Sequence, residues 1–213
     1  MGDSELIVRR ATKRDLSGIA AVLAEAFFDD PAMTWLLPDD NGRKRRLRVF
    51  FGTLLRHEML RPGGVELARA GDRLVGAALW LPPGRWHPRL RLAELPGLVR
   101  AFGRRLGPAS VMASAQARAH PGGEPHWYLS AIGVHPDAQG SGVGGALLRA
   151  RLAHCDAAGI PAYLESSKTT NVSLYEHFGF EVTGALVLPG DAPPIPTMWR
   201  HSRVRGGRPP AER

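Results

Sequence analysis

This 213-residue chain has a single cysteine, Cys155, and its lysines are confined to Lys13, Lys44 and Lys168. A lone cysteine cannot close an internal disulfide, which fits a reducing cytoplasm. No apolar run approaches the ~20 residues of a membrane span. Met1-Gly2-Asp3-Ser4-Glu5 shows no charged region followed by an apolar one, so no secretory signal is visible. His126 and His135 lack the spacing of a metal pair, and no metal site is expected. No Cys-His or Ser-His-Asp signature points to an acyl-enzyme. Internal repeats are absent as well. The length suffices to bury a full core, and it fits one domain better than two.

Arginine dominates the basic residues, and the formal charge is +8. Such a balance raises the question of nucleic acid, but its distribution argues against that partner. Residues 202–213 carry Arg203, Arg205, Arg208 and Arg213 against Glu212, in a Gly/Pro-rich stretch that reads as a basic disordered tail. Arg43-Lys44-Arg45-Arg46 and Arg48 read as the solvated face of a helix whose buried face is Leu47, Phe50, Phe51 and Leu54. The domain is therefore placed at residues 1–201, with no nucleic acid and no membrane among its partners.

Periodicity sets the elements. A strand is expected at Leu6–Arg10, then a helix opened by Thr12 and Asp15 as a capping box and continued by Ile19, Leu23 and Phe27. Asp29-Asp30-Pro31 ends it. A second helix is expected from Gly42 to Leu60, capped by Asp40 or Asn41. Val65–Ala70 and Arg73–Leu81 form a hairpin across Gly71-Asp72, with glycine first as a type II′ turn prefers. Helices follow at Leu90–Leu106, with a break or restart near Pro96-Gly97, and at Pro108–Ala119 with Pro108 at the first position. His126–Val134 reads as a strand, and a helix runs from Val143 until Gly159 stops it. Strand Pro161–Ser166, helix Val172–Phe178 and strands Phe180–Leu188 and Ile195–His201 complete the series.

Gln139-Gly140-Ser141-Gly142-Val143-Gly144, between that long strand and helix, is the most informative stretch. Glycines let a loop fold so that its N–H groups point into one space. The next helix adds unpaired first-turn donors and the positive end of its dipole. Together these make a phosphate or pyrophosphate site. The same glycines spell Gly140-x-Gly142-x-x-Gly145, with Glu165 at about the offset of a dinucleotide fingerprint. Yet His135-Pro136-Asp137-Ala138-Gln139 separates strand from glycines, and the motif comes late in the chain. A P-loop is excluded because no Lys-Ser or Lys-Thr follows.

Gln-x-x-Gly-x-Gly after Val134-His135-Pro136-Asp137, then Glu165-Ser166-Ser167, then Asn171-Val172-Ser173-Leu174-Tyr175-Glu176-His177-Phe178-Gly179-Phe180, resembles the GNAT superfamily of acetyl-CoA-dependent N-acetyltransferases. The resemblance covers about residues 126–200. Trp127-Tyr128-Leu129, Gly159–Glu165 and Gly179–Thr183 look most like the branch containing puromycin N-acetyltransferase. It implies an α+β fold: a mixed, mostly antiparallel central sheet flanked by helices, with a splayed strand pair forming the acyl-CoA cleft. The implied activity is transfer of acetyl from acetyl-CoA to a primary amine of a small molecule by direct attack, an aminonucleoside or other antibiotic among them. A protein or peptide acceptor, or a silent acyl-CoA sensor, are the alternatives, and a homodimer is left open.

Site residues follow from both lines. Backbone amides of Gln139, Gly140, Ser141, Gly142, Val143 and Gly144 would hold the pyrophosphate. Ile132, Gly133 and Val134 would offer strand-edge groups to the pantetheine arm. Asn171 reads both as a helix N-cap and, by resemblance, as a cofactor contact. Tyr175 lies at helical spacing from core residues, and the resemblance makes its hydroxyl the general acid for the leaving thiolate. Glu165 is the candidate base, with a salt bridge to a nearby arginine as the alternative. Asp30, Trp35, Trp80 and Ser130, together with Asp29 and Trp86, are candidates for the acceptor pocket, since carboxylates and aromatic faces stabilise a cationic amine. Cys155 shares a helical face with Leu152 and reads as core.

Overall fold

The computed structural model describes residues 5–59, 64–86 and 92–203. In chain order the elements are β1 (Leu6–Arg10), α1 (Leu16–Ala26), α2 (Pro31–Leu36), α3 (Arg43–Leu54), β2 (Val65–Ala70), β3 (Arg73–Leu81), α4 (Leu95–Phe102), α5 (Leu106–Ala119), β4 (Trp127–Val134), α6 (Val143–Ala158), β5 (Ala162–Glu165), α7 (Val172–His177), β6 (Glu181–Leu186) and β7 (Ile195–Arg200). The strands form one sheet in the order β1-β2-β3-β4-β5-β7-β6. Neighbours run antiparallel except β4 and β5.

Local chemistry explains most boundaries. Gly71 has φ 57° and Asp72 has none of the positive φ of a type I′ turn, so the β2–β3 hairpin closes with the expected II′ turn. Asp15 Oδ2 accepts from the Thr12 N–H at 2.8 Å, and its carboxylate pairs with Arg9. Gly159, at φ 67°, ends α6 in the left-handed conformation a side chain disfavours.

Three expectations need correction. Asp30-Pro31 does not merely end a helix but starts α2: Asp30 Oδ1 accepts from Ala32 N and Met33 N at 3.0 and 3.1 Å, with Pro31 at the first position. α3 is preceded by left-handed Gly42 rather than capped by Asp40 or Asn41. The helix restarts near Pro96 as expected, α4 following the 3₁₀ turn Leu92–Glu94 with Pro96 in its first turn, where its missing N–H costs nothing, and a second break falls at Gly103 (φ 51°). α5 then begins at Leu106, placing Pro108 third. The expected start at Leu90, the end at Leu60 and most of the tail lie outside the described residues.

Two apolar layers flank the sheet. Leu23, Leu47, Phe51, Leu67, Leu79 and Phe102 fill the side covered by α1, α3, α4 and α5. Trp80, Trp127, Leu147, Leu152, Phe180 and Met198 fill the side under α6 and α7. Cys155 is fully buried there, and burial pushes its thiol up to about 11, so it packs rather than reacts. Arg43 is also buried: its guanidinium donates to the carbonyls of Leu37, Phe28 and Pro38. Arg46 donates to Ala101 O and Phe102 O, capping the end of α4. Two members of the basic run thus serve the fold.

The site owes its position to β4. Its parallel pairing with β5 lasts only from Trp127–Ala162 to Leu129–Leu164. Ser130–Val134 then continue without that neighbour. At the same point Leu79 pairs Ala131 while Trp80 pairs Leu129, leaving Ser130 as a bulge that sharpens the twist. Beyond it α1 lies directly on the strand. A Cβ on Gly133 would meet Leu23 Cδ2 and Ala26 Cβ at 2.8 Å. Gly133→Ala is therefore expected to cost about 1–3 kcal/mol by overpacking, seen as a lower urea midpoint at unchanged m-value.

Candidate functional site

A cavity of about 900 Å³ opens where β4 and β5 part. One wall is the free edge of β4, Ser130 to Val134; next come Gln139, Gly140 and Gly142 of the loop, then Val143 and Gly144 of α6. Gly140 and Gly142 have φ of 77° and 82°, and no heavy atom lies within 4 Å of where a Cβ would stand on either. The loop is thus shaped by backbone conformation and faces open space. Its geometry is held by Gln139 Nε2, donating to Val134 O at 3.2 Å, and by Ser141 Oγ, donating to Ala138 O at 2.6 Å. Ser141 does not line the cavity with its side chain; it tightens the turn. These features fit the pyrophosphate and amide arm of a CoA thioester: a left-handed glycine cradle, a helix N-terminus and an unpaired strand edge.

The opposite wall is α7. Asn171, Leu174 and Tyr175 line it. Asn171 stands at the N-cap position of α7, but its backbone is already helical (φ −88°, ψ −6°) and its side chain makes no cap hydrogen bond, a short 3₁₀ turn, Thr169–Asn171, leading into the helix. Tyr175 is buried, with its ring edge-on to Phe180 at 6.0 Å. Burial, reinforced by the Asp30 carboxylate, lifts its phenol well above the ordinary value, so the hydroxyl keeps its proton.

Three carboxyl groups reach this cavity. Glu165, at the end of β5, accepts at Oε2 from Gln116 Nε2 at 2.7 Å and from the Tyr128 hydroxyl at 3.1 Å; Tyr163 donates to Oε1 at 3.2 Å. Burial raises its pKa, and those three hydrogen bonds oppose the shift. These donors are neutral, so the alternative of a salt bridge to an arginine is not what holds it. Asp30 is committed otherwise: besides capping α2 it accepts at Oδ2 from the Ser167 hydroxyl, tying α2 to the segment after β5. Burial raises its pKa too, against the pull of Ser167 and Lys168. Glu94 is the third.

Of the aromatic candidates, Trp80 is fully buried in the cavity wall, with no partner for Nε1 among the described residues. Trp86 lines the cavity and stacks flat on His120, ring centroids 3.8 Å apart. Trp35 lies elsewhere, in a shallow depression with Pro31, Thr34, Pro38 and Arg105. The short helix α2, unforeseen in the sequence, turns it away. His120 was also unforeseen. Its Nε2 lies 3.1 Å from His126 Nε2, and His126 Nδ1 lies 2.7 Å from Glu124 O. The carbonyl requires His126 to donate from Nδ1. Burial and His126 push the His120 pKa down to about 4. Glu94, Gln116, Tyr128 and Tyr163 were missed as well. Tyr163 and Glu165 stand two apart on one strand face, a readable signal; Glu94 and Gln116 left none. No three His, Cys, Asp or Glu among the described residues are placed to hold a metal.

A mostly antiparallel sheet opened at one parallel pair, with a glycine cradle at its mouth, is the GNAT fold. The acetyltransferase (GNAT) family pattern matches residues 24–180, and the chain belongs to that family. An N-acetyltransferase of Schizosaccharomyces pombe, described as uncharacterized, is 30% identical over 206 residues, covering 90% of this chain and 81% of that protein. A Corynebacterium glutamicum structure described as histone acetyltransferase HPA2 and related acetyltransferase superposes with TM-score 0.75 at 30% identity, covering 97% and 99% of the two chains. An agmatine N-acetyltransferase shares the fold at TM-score 0.59 and 16% identity, over 92% of this chain and 99% of that one. The protein is thus an acetyltransferase of the acetyl-CoA-dependent kind. No helix among the described residues is long and apolar enough to cross a membrane.

Proposed function

We propose that the protein acetylates the primary amine of a small, largely apolar molecule, with acetyl-CoA as donor and no acyl-enzyme. The observation that carries this reading is the shared cavity: Glu165 and Tyr175 line one chamber whose remaining wall, from α3, α4 and α5, includes Phe50, Leu54, Leu98, Phe102 and Met112. When bound, acetyl-CoA supplies the activated acyl group. Glu165, raised in pKa yet held in place by neutral donors, accepts the proton the attacking ammonium must lose. Tyr175 donates its proton to sulfur as the carbon–sulfur bond breaks. Backbone donors of the β4 edge and the glycine loop fix the thioester between the two. Asn171 and Ser130 position the donor arm and the acceptor.

An aminonucleoside of the puromycin type belongs among the acceptors to be tried, on the resemblance noted above, and the single buried Cys155 agrees with a cytoplasmic setting. The competing acceptor is a protein lysine, which the description of the C. glutamicum relative brings in. Release of free CoA thiol, measured across apolar amines, puromycin and a lysine-rich histone peptide, decides between them. The expected order is apolar amine first, by about 10²-fold in kcat/KM, since a desolvated pocket gains free energy from each buried methylene. A peptide faster than every small amine overturns the proposal, as does release of no thiol with any acceptor.

A further inference from the structure

Glu94 has no role in the chemistry above, and among the described residues its Oε1 has no hydrogen-bond partner. It sits on the turn Leu92–Glu94 that leads into α4, is only 4% exposed, and lines the same cavity as Glu165 and Tyr175. The other two cavity carboxyls show how this fold treats an acid it needs for itself. Asp30 accepts from two backbone N–H groups and Ser167, and Glu165 from Gln116, Tyr128 and Tyr163. Buried Glu66, away from the cavity, is paired with Arg151 through Oε1, although its Oε2 has no hydrogen-bond partner among the described residues. A buried carboxyl left unsatisfied is destabilising, and an orphan of this kind calls for an explanation. Glu94 stands alone in that respect among the three cavity acids.

The surroundings indicate what would satisfy it. Leu54, Leu98, Phe102 and Leu106 line the cavity on the side of α3, α4 and α5, and Trp86 adds an aromatic face. Such a wall suits a hydrocarbon segment. A carboxylate in it suits a positive group at the end of that segment, because a charge-assisted hydrogen bond is strengthened by exclusion of water. We propose that Glu94 is the acceptor-recognition carboxylate, taking a second cationic group of the substrate, remote from the amine that is acetylated beside Glu165. The acceptor is then an amine with an apolar span and a positive far end, an ammonium or a guanidinium. This rests on the reading of the cavity as an amine-acetylating site.

Three acceptors of equal chain length make the test: an n-alkyl monoamine, the α,ω-diamine and the ω-aminoalkyl guanidine. With the parent, the two dications are expected to exceed the monoamine in kcat/KM by about 10²-fold, as for a site built to pair a polar group that one analogue lacks. Glu94→Gln keeps the shape and removes the charge. It should bring that ratio towards one, with the change carried by KM of the dications. Thermal melting supplies a readout independent of turnover. Either dication should raise the parent Tm in the presence of CoA, and should fail to do so in Glu94→Gln. In the absence of ligand, Glu94→Leu should melt above the parent, since it removes an unsatisfied group. A parent that acetylates all three acceptors equally, with a ratio unmoved in Glu94→Gln, overturns the inference while leaving acetylation standing. A lower Tm in both variants with an unchanged ratio makes Glu94 structural and equally overturns it. If no acceptor is acetylated, the acetylation reading fails, and Glu94-dependent stabilisation by dications alone still decides this one.

Discussion

In Gly142→Val, acetyl-CoA binding is expected to weaken by at least about 10²-fold, the equivalent of one or two hydrogen bonds to a charged group. The argument is conformational. Gly142 holds φ 82° and ψ 1°, and its carbonyl accepts from Ala146 N in the first turn of α6. A left-handed backbone costs an L-residue roughly 1–2 kcal/mol, and a β-branched side chain is a poor occupant of that region. The loop should therefore leave the conformation in which its N–H groups converge. Valine there meets no core atom, since nothing lies within 4 Å of the Cβ position, so collapse of the fold does not follow. Gly159→Val provides the matched control. Gly159 has φ 67° and equally open surroundings at the other end of the same helix, away from the cavity. Both variants should lose similar thermal stability, but only Gly142→Val should lose affinity in calorimetry. Equal affinities in the two would move the pyrophosphate site elsewhere.

What could be read in advance was local. The hairpin at Gly71-Asp72, the span of α6 between Gly142 and Gly159 and the glycine cradle each depend on residues within a few positions of one another. Their signals are conformational: a positive φ, a terminating glycine, an alternating strand. The α2 helix was legible in principle, because Asp30-Pro31 is as good a helix start as it is a helix end. Reading it as an end misplaced Trp35 and hid the capping role that commits Asp30. The rest of the site lay beyond sequence reasoning for a geometric reason. Gln116 from α5 meets Glu165 at the end of β5, 49 positions later, and Ser167 meets Asp30 across 137. Those encounters depend on where α5 and α2 cross the sheet, which no periodicity encodes. Glu94 is the extreme case, a glutamate before an amphipathic helix that reads as surface until its burial is seen. Ser130 was an acceptor-pocket candidate and does line the cavity, but its local geometry was not legible. Its strand was expected, but the bulge that separates Leu129 from Ala131 in register arises from pairing with β3.

Tyr175→Phe is expected to reduce kcat by roughly 10²–10³, the range for a lost general acid, while acetyl-CoA affinity and Tm hardly change. The ring is what packs, edge-on to Phe180 and in contact with the layer under α6, and phenylalanine retains it. The hydroxyl is what the proposed mechanism has donate to sulfur. Burial and the Asp30 charge both disfavour the phenolate, so in the resting site the group is a donor at any pH near neutrality. Its hydrogen bond gains most as negative charge develops on sulfur, which places the loss in kcat rather than in binding. The pH profile separates it from Glu165. Glu165 must be deprotonated to act as base, and its raised pKa sets the acidic limb of kcat/KM above the ordinary carboxylate range. That limb should persist in Tyr175→Phe and vanish in Glu165→Gln. No basic limb from Tyr175 should appear below about pH 10, the ordinary value from which the phenol is raised. Slow product release would conceal part of the effect, so a single-turnover measurement is the decisive one. Parental single-turnover rates in Tyr175→Phe would reduce Tyr175 to packing and assign the sulfur's proton to water.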